Sequence, residues 1–431
     1  MNRLARAALL VSCLVPGSSA AQSLSPTDAQ AWRDDLHFMA QAMEKTHRNL
    51  YHAISHDAFA AMVNALDARI PTLARHDVIV EMAKIVAAVG DGHTNIYPTR
   101  DAKIAFRTLP VAFTYFEGDW YVRAAHESQR DLVGAKVLRI GDRSIAEAYV
   151  SVQTMIGRDN EYGARYWAQF LLASPEVLQG LRITRTLDEV PLTLATAAGE
   201  RRVMLHPFGP VEIMTGDTVR AFDRRPGWID ARGADDPLWL RHTAEPFSFQ
   251  HVGDLLYVQI NKIGDGADET LAQFSDRLRD EIDRTRPGKV AIDLRLNRGG
   301  NGGLNAALVR ALIQSPSIDR KGRLFAIIGP ATFSAAQMLV DALARYTNVT
   351  FVGEPTGSKG NAYGDSRIIT LPNSGITVRA SIYYWQEWHP LDTRDATSPS
   401  IPAPLTIDAY RTNRDPSLEA IQRVRVSSEA K

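Results

Sequence analysis

The stretch Leu324-Phe325-Ala326-Ile327-Ile328-Gly329-Pro330-Ala331-Thr332-Phe333-Ser334-Ala335-Ala336-Gln337-Met338-Leu339-Val340-Asp341-Ala342-Leu343 decides the fold. Its first part, Leu324 to Ile328, is short, apolar and β-favouring, and Gly329-Pro330 ends it, so it reads as a buried strand. From Met338 onward apolar residues recur at helical spacing with Asp341 on another face, the pattern of an amphipathic helix. Ser334 therefore stands where a strand end turns into a helix. The unpaired N–H groups and dipole of a first helical turn favour negative charge, so an oxyanion formed there is stabilised. Serine is also a preferred N-cap, and capping is the alternative role for Ser334.

The same texture extends on both sides. Leu255 to Ile260 reads as a strand, Asp268 to Arg284 as a helix stopped by Pro287-Gly288, and Lys289 to Leu294 as a strand. Leu304 to Ile313 follows as a helix and Val349 to Val352 as a strand. Such alternation predicts an α/β domain with a largely parallel sheet and site loops at the carboxyl ends of its strands. One such loop, Arg295-Leu296-Asn297-Arg298-Gly299-Gly300-Asn301-Gly302-Gly303, has glycines that let backbone N–H groups approach a substrate oxygen. It matches neither nucleotide-binding glycine motif. A second loop is the Ser334 turn. The third, Gly353-Glu354-Pro355-Thr356-Gly357-Ser358-Lys359-Gly360-Asn361, sets Lys359 between glycines, 25 positions after Ser334. Beyond it, Ile368 to Leu371 and Ile376 to Tyr384 read as a hairpin, and Tyr383, Tyr384, Trp385 and Trp388 as core or edge packing.

The N-terminal part has other rhythms. Helices are predicted after Ser25-Pro26 (apolar face Trp32, Leu36, Met39, Ala40, Met43), over Phe59 to Ile70, and over Val78 to Val86. His37, His47, His52, His56 and His76 read as surface or capping residues. His93 differs: it follows the helix stop Gly90-Asp91-Gly92 and precedes Thr94 to Tyr97, which reads as a strand start. Two glycines there can present one imidazole, a candidate base; a turn histidine bonded to a carbonyl is the alternative. From Phe106 to His206 short β-favouring runs dominate, with a helix over Tyr162 to Leu172. Residues 207–246 are irregular and read as a linker or a lid.

All 431 residues together carry 49 basic and 49 acidic side chains, so no net charge draws the chain to nucleic acid. Arg3 and Arg6, the apolar run Ala7 to Val15 and the small residues up to Ala21 make a secretory signal peptide, cleaved after Ala20 or Ala21. The run is too short for a permanent membrane span. Leu10-Val11-Ser12-Cys13 resembles a lipoprotein box, a minority alternative. Cys13 is the single cysteine, so the mature chain has no disulfide, thiol nucleophile or cysteine-bound metal. This composition points to a bacterial periplasm or secretion.

Gly-Asp-Gly-His-Thr at 90–94, Asp-Leu-Arg-x-Asn-x-Gly-Gly at 293–300, Thr-Phe-Ser-Ala-Ala-Gln at 332–337 and Gly-Glu-Pro-Thr-Gly at 353–357 occur in this order. Together they resemble the C-terminal processing (tail-specific) serine peptidases, whose relatives include the tricorn core protease and interphotoreceptor retinoid-binding protein. The resemblance implies a crotonase-like (ClpP-like) α/β core over 247–425 and a helical N-terminal domain over 22–100. Between them it implies a PDZ-like β-rich module over 105–206. Gly134 to Ile145 looks like half of such a module, without a clear peptide-carboxylate loop.

By the same resemblance Ser334 is the nucleophile, and the N–H groups of Ala335 and of Gly299 or Gly300 form an oxyanion hole. Lys359 matches the base of the tail-specific branch, although Tyr363 stands where that branch often has glutamine. His93 matches the base of the tricorn branch, although Gly92 replaces its serine, and Asp392 or Glu387 could be its late supporting carboxylate. Chemistry leaves the base open: a lysine must be desolvated to lose its proton near neutrality, whereas a histidine needs little shift. The implied activity is hydrolysis of extended polypeptides through an acyl-enzyme, with no metal or organic cofactor. A non-catalytic protein binding peptides or apolar ligands on the same fold is the alternative.

Overall fold

Ser25 caps the first helix by accepting a hydrogen bond from the Asp28 N–H, with Pro26 in the first turn, as an N-cap should. The computed structural model describes residues 24–98, 101–208 and 221–425; the signal peptide and Cys13 lie outside them. Helices α1 (Pro26–Thr46), α2 (His56–Arg69) and α3 (Arg75–Ala87) bury Trp32, Leu36, Met39, Met43, Phe59, Val63, Leu66 and most of α3 in one core. His47 and His76 are buried, which corrects the surface reading, while His47 is the C-cap of α1, as the capping reading has it. His47 Nε2 lies 2.9 Å from Asp91 Oδ2, so a carboxylate compensates its burial.

The next segment builds an antiparallel sheet from β1 (Val111–Phe116), β2 (Asp119–His126), β3 (Lys136–Ile140) and β4 (Arg143–Ser144). Helices α4 (Ile145–Gln153), α5 (Glu161–Leu171) and α6 (Pro175–Gly180) are followed by two more of its strands, β5 (Val190–Thr196) and β6 (Gly199–Leu205). α4 and β6 were not anticipated: α4 is short, and β6 is mostly exposed and so lacks an apolar stripe. Within the irregular 207–246 segment, β7 (Trp228–Asp230) pairs with β2 and the one-turn helix α7 (Leu238–Arg241) buries Trp239.

The α/β part follows. β8 (Phe247–Val252), β9 (Leu255–Ile260), helix α8 (Leu271–Thr285), β10 (Lys289–Asp293), helix α9 (Asn305–Ile313), β11 (Leu324–Ile328), helix α10 (Ala335–Tyr346) and β12 (Thr350–Gly353) succeed one another. The helix read from Asp268 begins three residues later because Thr270 and Gln273 form a capping box. β13 (Asn361–Thr370) and β14 (Thr377–Gln386) form a separate hairpin, and β15 (Ile401–Pro402), α11 (Ile407–Arg411) and α12 (Pro416–Arg423) end the described chain.

The sheet order is β15-β12-β11-β10-β9-β8, parallel except for β8. β9 and β11 are buried along their whole length, which explains their continuous apolar runs. Leu256, Val258, Ile292 and Ala326 face α8, α9 and α10, while Tyr257, Ala291, Phe325 and Ile327 face α12. Because the strands are parallel and in register, the loops after β10, β11 and β12 leave from the same edge. The β13–β14 hairpin turns Ile369, Leu371, Ile376, Val378 and Ala380 into the N-terminal core.

Two expectations fail. Thr94 to Tyr97 start no strand; Asn95 makes one isolated bridge to Arg379. Of the core and edge readings of Tyr383, Tyr384 and Trp385, the core one fails: they are 54%, 45% and 37% exposed on the free end of β14.

Candidate active site

The Ser334 turn is held from below. Thr332 Oγ1 donates to the Leu294 carbonyl at 2.9 Å and accepts from the Gly329 N–H at 3.1 Å, and the Phe333 N–H donates to the Asn297 carbonyl at 3.1 Å. The loops after β10 and β11 are thereby tied together. Ser334 sits at φ 56°, ψ −128°, a conformation a non-glycine residue adopts only when its surroundings impose it. Its side chain makes no capping hydrogen bond, so the N-cap role is set aside. Its Oγ lies 2.9 Å from His93 Nε2, joining residues 241 positions apart.

His93 is held by Asp91, not by glycines alone. Asp91 Oδ1 accepts from the N–H groups of His93 and Thr94, each at 2.9 Å, and from Ser381 Oγ on β14 at 2.7 Å. Burial alone would raise the Asp91 pKa, but the hydrogen bonds from His47, Ser381 and Thr94 outweigh it and hold the carboxyl below its ordinary value. Phe333 stacks on the His93 ring with centroids 4.5 Å apart. Gly92 is required here because a Cβ would meet the Phe333 ring at 2.6 Å.

Burial pushes the His93 pKa down, and the nearby charges of Asp159, Asp91 and Asp365 only partly offset this. A neutral imidazole whose Nε2 faces a serine hydroxyl can accept its proton. Nδ1 is wholly buried and meets no acceptor among the described residues. Behind the ring lies Asp159, which accepts from the Gly92 N–H at 2.9 Å and from Ser358 Oγ at 2.6 Å. Burial raises its pKa. The sequence reading missed Asp159 because no local pattern links it to the turn 67 positions away.

Lys359 lines the same cavity as Ser334 but makes no hydrogen bond to it. Neither late carboxylate reaches His93: Asp392 is ion-paired to Arg394 at 2.7 Å, and Glu387 lines the cavity on the side of Lys359. Tyr363 packs between His52 and Tyr384, with centroids 4.3 and 4.9 Å away, and accepts from Asn49 Nδ2 at 3.2 Å.

Of the three oxyanion candidates, Gly299 is committed elsewhere, since its N–H donates to Asn297 Oδ1 at 2.8 Å. The Gly300 and Ala335 N–H groups have no acceptor among the described residues. Gly299 serves by being small: a Cβ there would come within 2.7 Å of Ser334 Cβ and 2.8 Å of the Ala335 nitrogen. The Ser334–His93 pair separates two cavities. One, of about 490 Å³, is polar and includes Tyr97, Arg298, Asp365 and Arg379. The other, of about 440 Å³, includes Met338, Ala306, Ala362, Tyr363 and Lys359. Among the described residues no group of acidic, histidine or cysteine side chains is arranged to hold a metal ion, and no helix is long and apolar enough to cross a membrane.

No protein-family model and no curated protein matches the chain. Solved structures do. Mature CPAF complexed with lactacystin aligns with a TM-score of 0.60 at 12% identity, covering 92% of this chain and 97% of that one. A serine-to-alanine mutant of CPAF gives 0.61 at 12% identity over 92% and 96%, and mature CPAF gives 0.58 at 13% over 92% and 96%. At this identity the likeness establishes a shared fold, along nearly the whole of both chains.

Proposed function

We propose that the chain is an exported serine peptidase that hydrolyses extended or unfolded polypeptides through an acyl-enzyme on Ser334. The single observation that carries this reading is the 2.9 Å contact between Ser334 Oγ and His93 Nε2 at a strained strand-to-helix turn. The fold shared with CPAF, one of whose structures is a lactacystin complex, supports it. In this reading the core is crotonase-like and the β1–β6 sheet is a degenerate PDZ-like module.

The proposed steps run as follows. His93 Nε2 takes the Oγ proton as Ser334 attacks the scissile carbonyl carbon. The carbonyl oxygen becomes an oxyanion, for which the Gly300 and Ala335 N–H groups, without an acceptor among the described residues, are the proposed donors. His93 then gives the proton to the departing amine, leaving an acyl ester on Ser334. Water, deprotonated by the same nitrogen, hydrolyses the ester. Asp159 and Asp365 favour the imidazolium that exists between these transfers. Contact favours His93 over Lys359 as the base.

The test is mass spectrometry of an unfolded-protein pool incubated with the mature chain and with Ser334→Ala, His93→Ala and Lys359→Ala. Cleavage is expected to vanish in the first two and to persist in the third. Cleavage that survives Ser334→Ala would refute the acyl-enzyme, and loss in Lys359→Ala with His93→Ala active would reassign the base.

A further inference from the structure

The polar cavity beside Ser334 holds an arginine that the fold does not use. Arg379 lies on β14, and its backbone pairs with Asn95 through the Asn95 N–H at 3.1 Å and its own N–H at 2.9 Å. Its half-buried guanidinium makes no hydrogen bond, ion pair or aromatic contact among the described residues. A planar cation with five donors thus lines the nucleophile's cavity with no partner among the described residues. Arg298 lines the same cavity and adds positive charge, its guanidinium lying 4.5 Å from the Tyr166, 4.6 Å from the Trp167 and 5.0 Å from the Phe333 ring centroids. Asp365, the one acidic residue lining this cavity among the described residues, also borders the second, is solvent-exposed, and stands where it supports protonated His93. The cavity is therefore cationic away from the Ser–His pair. The cavity across the pair has apolar walls in Met338, Ala306 and Ala362, with Lys359 and Glu387 of opposite sign at its lining.

We propose that Arg379 is a specificity-determining residue that takes a substrate carboxylate within one or two residues of the scissile bond. The group across the bond is then apolar. This inference rests on the peptidase reading, since it names the substrate of the same site. Two sources supply that carboxylate: an Asp or Glu side chain, or the free C-terminus of a polypeptide cut near its end. Either would form paired N–H···O bonds with the guanidinium, and an amide in its place would not complete the charge.

The experiment uses the full mature chain and a peptide library with cut sites read by mass spectrometry. One arm carries internal Glu with amidated C-termini; a second carries no acidic residue and free C-termini; a third replaces Glu by Gln. Carboxylate peptides should be cut roughly tenfold to hundredfold faster in kcat/KM than their amide counterparts, the span of one or two charged hydrogen bonds. Arg379→Gln should erase that preference through KM, and Arg379→Glu should transfer it to Lys or Arg. The first two arms tell the side-chain source from the terminal one. Thermal melting controls folding, which the unpartnered side chain leaves undisturbed. Cutting without carboxylate preference, or a preference that survives Arg379→Glu, overturns this inference and leaves the peptidase reading standing. If the wild type cuts nothing, the peptidase reading fails. Binding to Ser334→Ala, read by anisotropy of labelled Glu and Gln peptides, then decides the Arg379 site: equal affinities reject it.

Discussion

At the scale of single residues the site depends on space as much as on charge. Gly299 sits at φ 101°, and any Cβ there enters the volume occupied by Ser334 Cβ and the Ala335 nitrogen. Gly299→Ala should therefore lower kcat by about a hundredfold, because a displacement of one ångström costs that much. Unfolding should change much less, a split that steady-state kinetics and thermal melting resolve together. His93 gives a second expectation, with its sign fixed by burial. Its pKa is lowered from the ordinary 6.5, so the neutral, proton-accepting form persists below that pH. The acidic limb of kcat/KM should lie below 6.5, and a limb above it would contradict the assignment. For stability the same shift means that the unfolded chain binds the His93 proton first, so this contribution is lost as the pH falls from 6.5. Ser334 and His93 were legible as candidates because glycine-flanked turns mark them in the sequence. Asp159 and Arg379 were not, because each lies in an ordinary local pattern and gains its neighbours only through the fold.

At the scale of elements, the strand–turn–helix unit around Ser334 was readable because local rules and tertiary packing agree there. The run Leu324 to Ile328 is the strand itself, and the helix face is buried at Leu339, Val340 and Leu343. The β13–β14 hairpin was readable only in part. Its inner half alternates, with Val378 and Ala380 buried. Its outer half, Tyr383 to Gln386, is exposed and carries aromatics, so an apolar tally reads it as core. Helix α10 also carries a cost: Asp341 is buried on it, one oxygen held by Gln337 Nε2 at 3.0 Å and the other without a partner among the described residues. Burial, with the charges of Glu387 and Asp392, raises its pKa from 3.8 to about 7, against the lowering by Gln337 and Arg394. The native state thus holds this proton more tightly than the unfolded state. Stability falls as pH rises from 3.8 to about 7 and stays lower above that. Asp341→Asn keeps the acceptor for Gln337 and cannot ionise. It should raise stability by about 4 kcal/mol at mildly alkaline pH and change little below 3.8, checked by thermal melting in both buffers.

At the scale of the whole molecule, the candidate pair is assembled from two ends of the chain, with Ser334 in the α/β part and His93 after the N-terminal helices. Sequence patterns give each part its own fold class, but the docking between them is written in no local pattern. Asp91 carries much of it. One carboxylate gathers His47 at the end of α1, the His93 and Thr94 N–H groups of the turn, and Ser381 on β14. Removing one side of a buried pair costs about 3–5 kcal/mol, because the groups left behind stay desolvated and unpaired. Asp91→Ala should therefore lower the melting temperature. Even well below that temperature it should slow acylation of Ser334 by a fluorophosphonate at least tenfold, since the His93 turn loses its anchor before the fold is lost. Asp91→Asn keeps one carbonyl oxygen for the turn N–H groups but loses the charge facing His47, and should fall between the two. If Asp91→Ala loses stability while its folded fraction acylates at the wild-type rate, then docking holds the molecule together without positioning the histidine. The His93 geometry would then have to come from the Phe333 stack and the packing at Gly92.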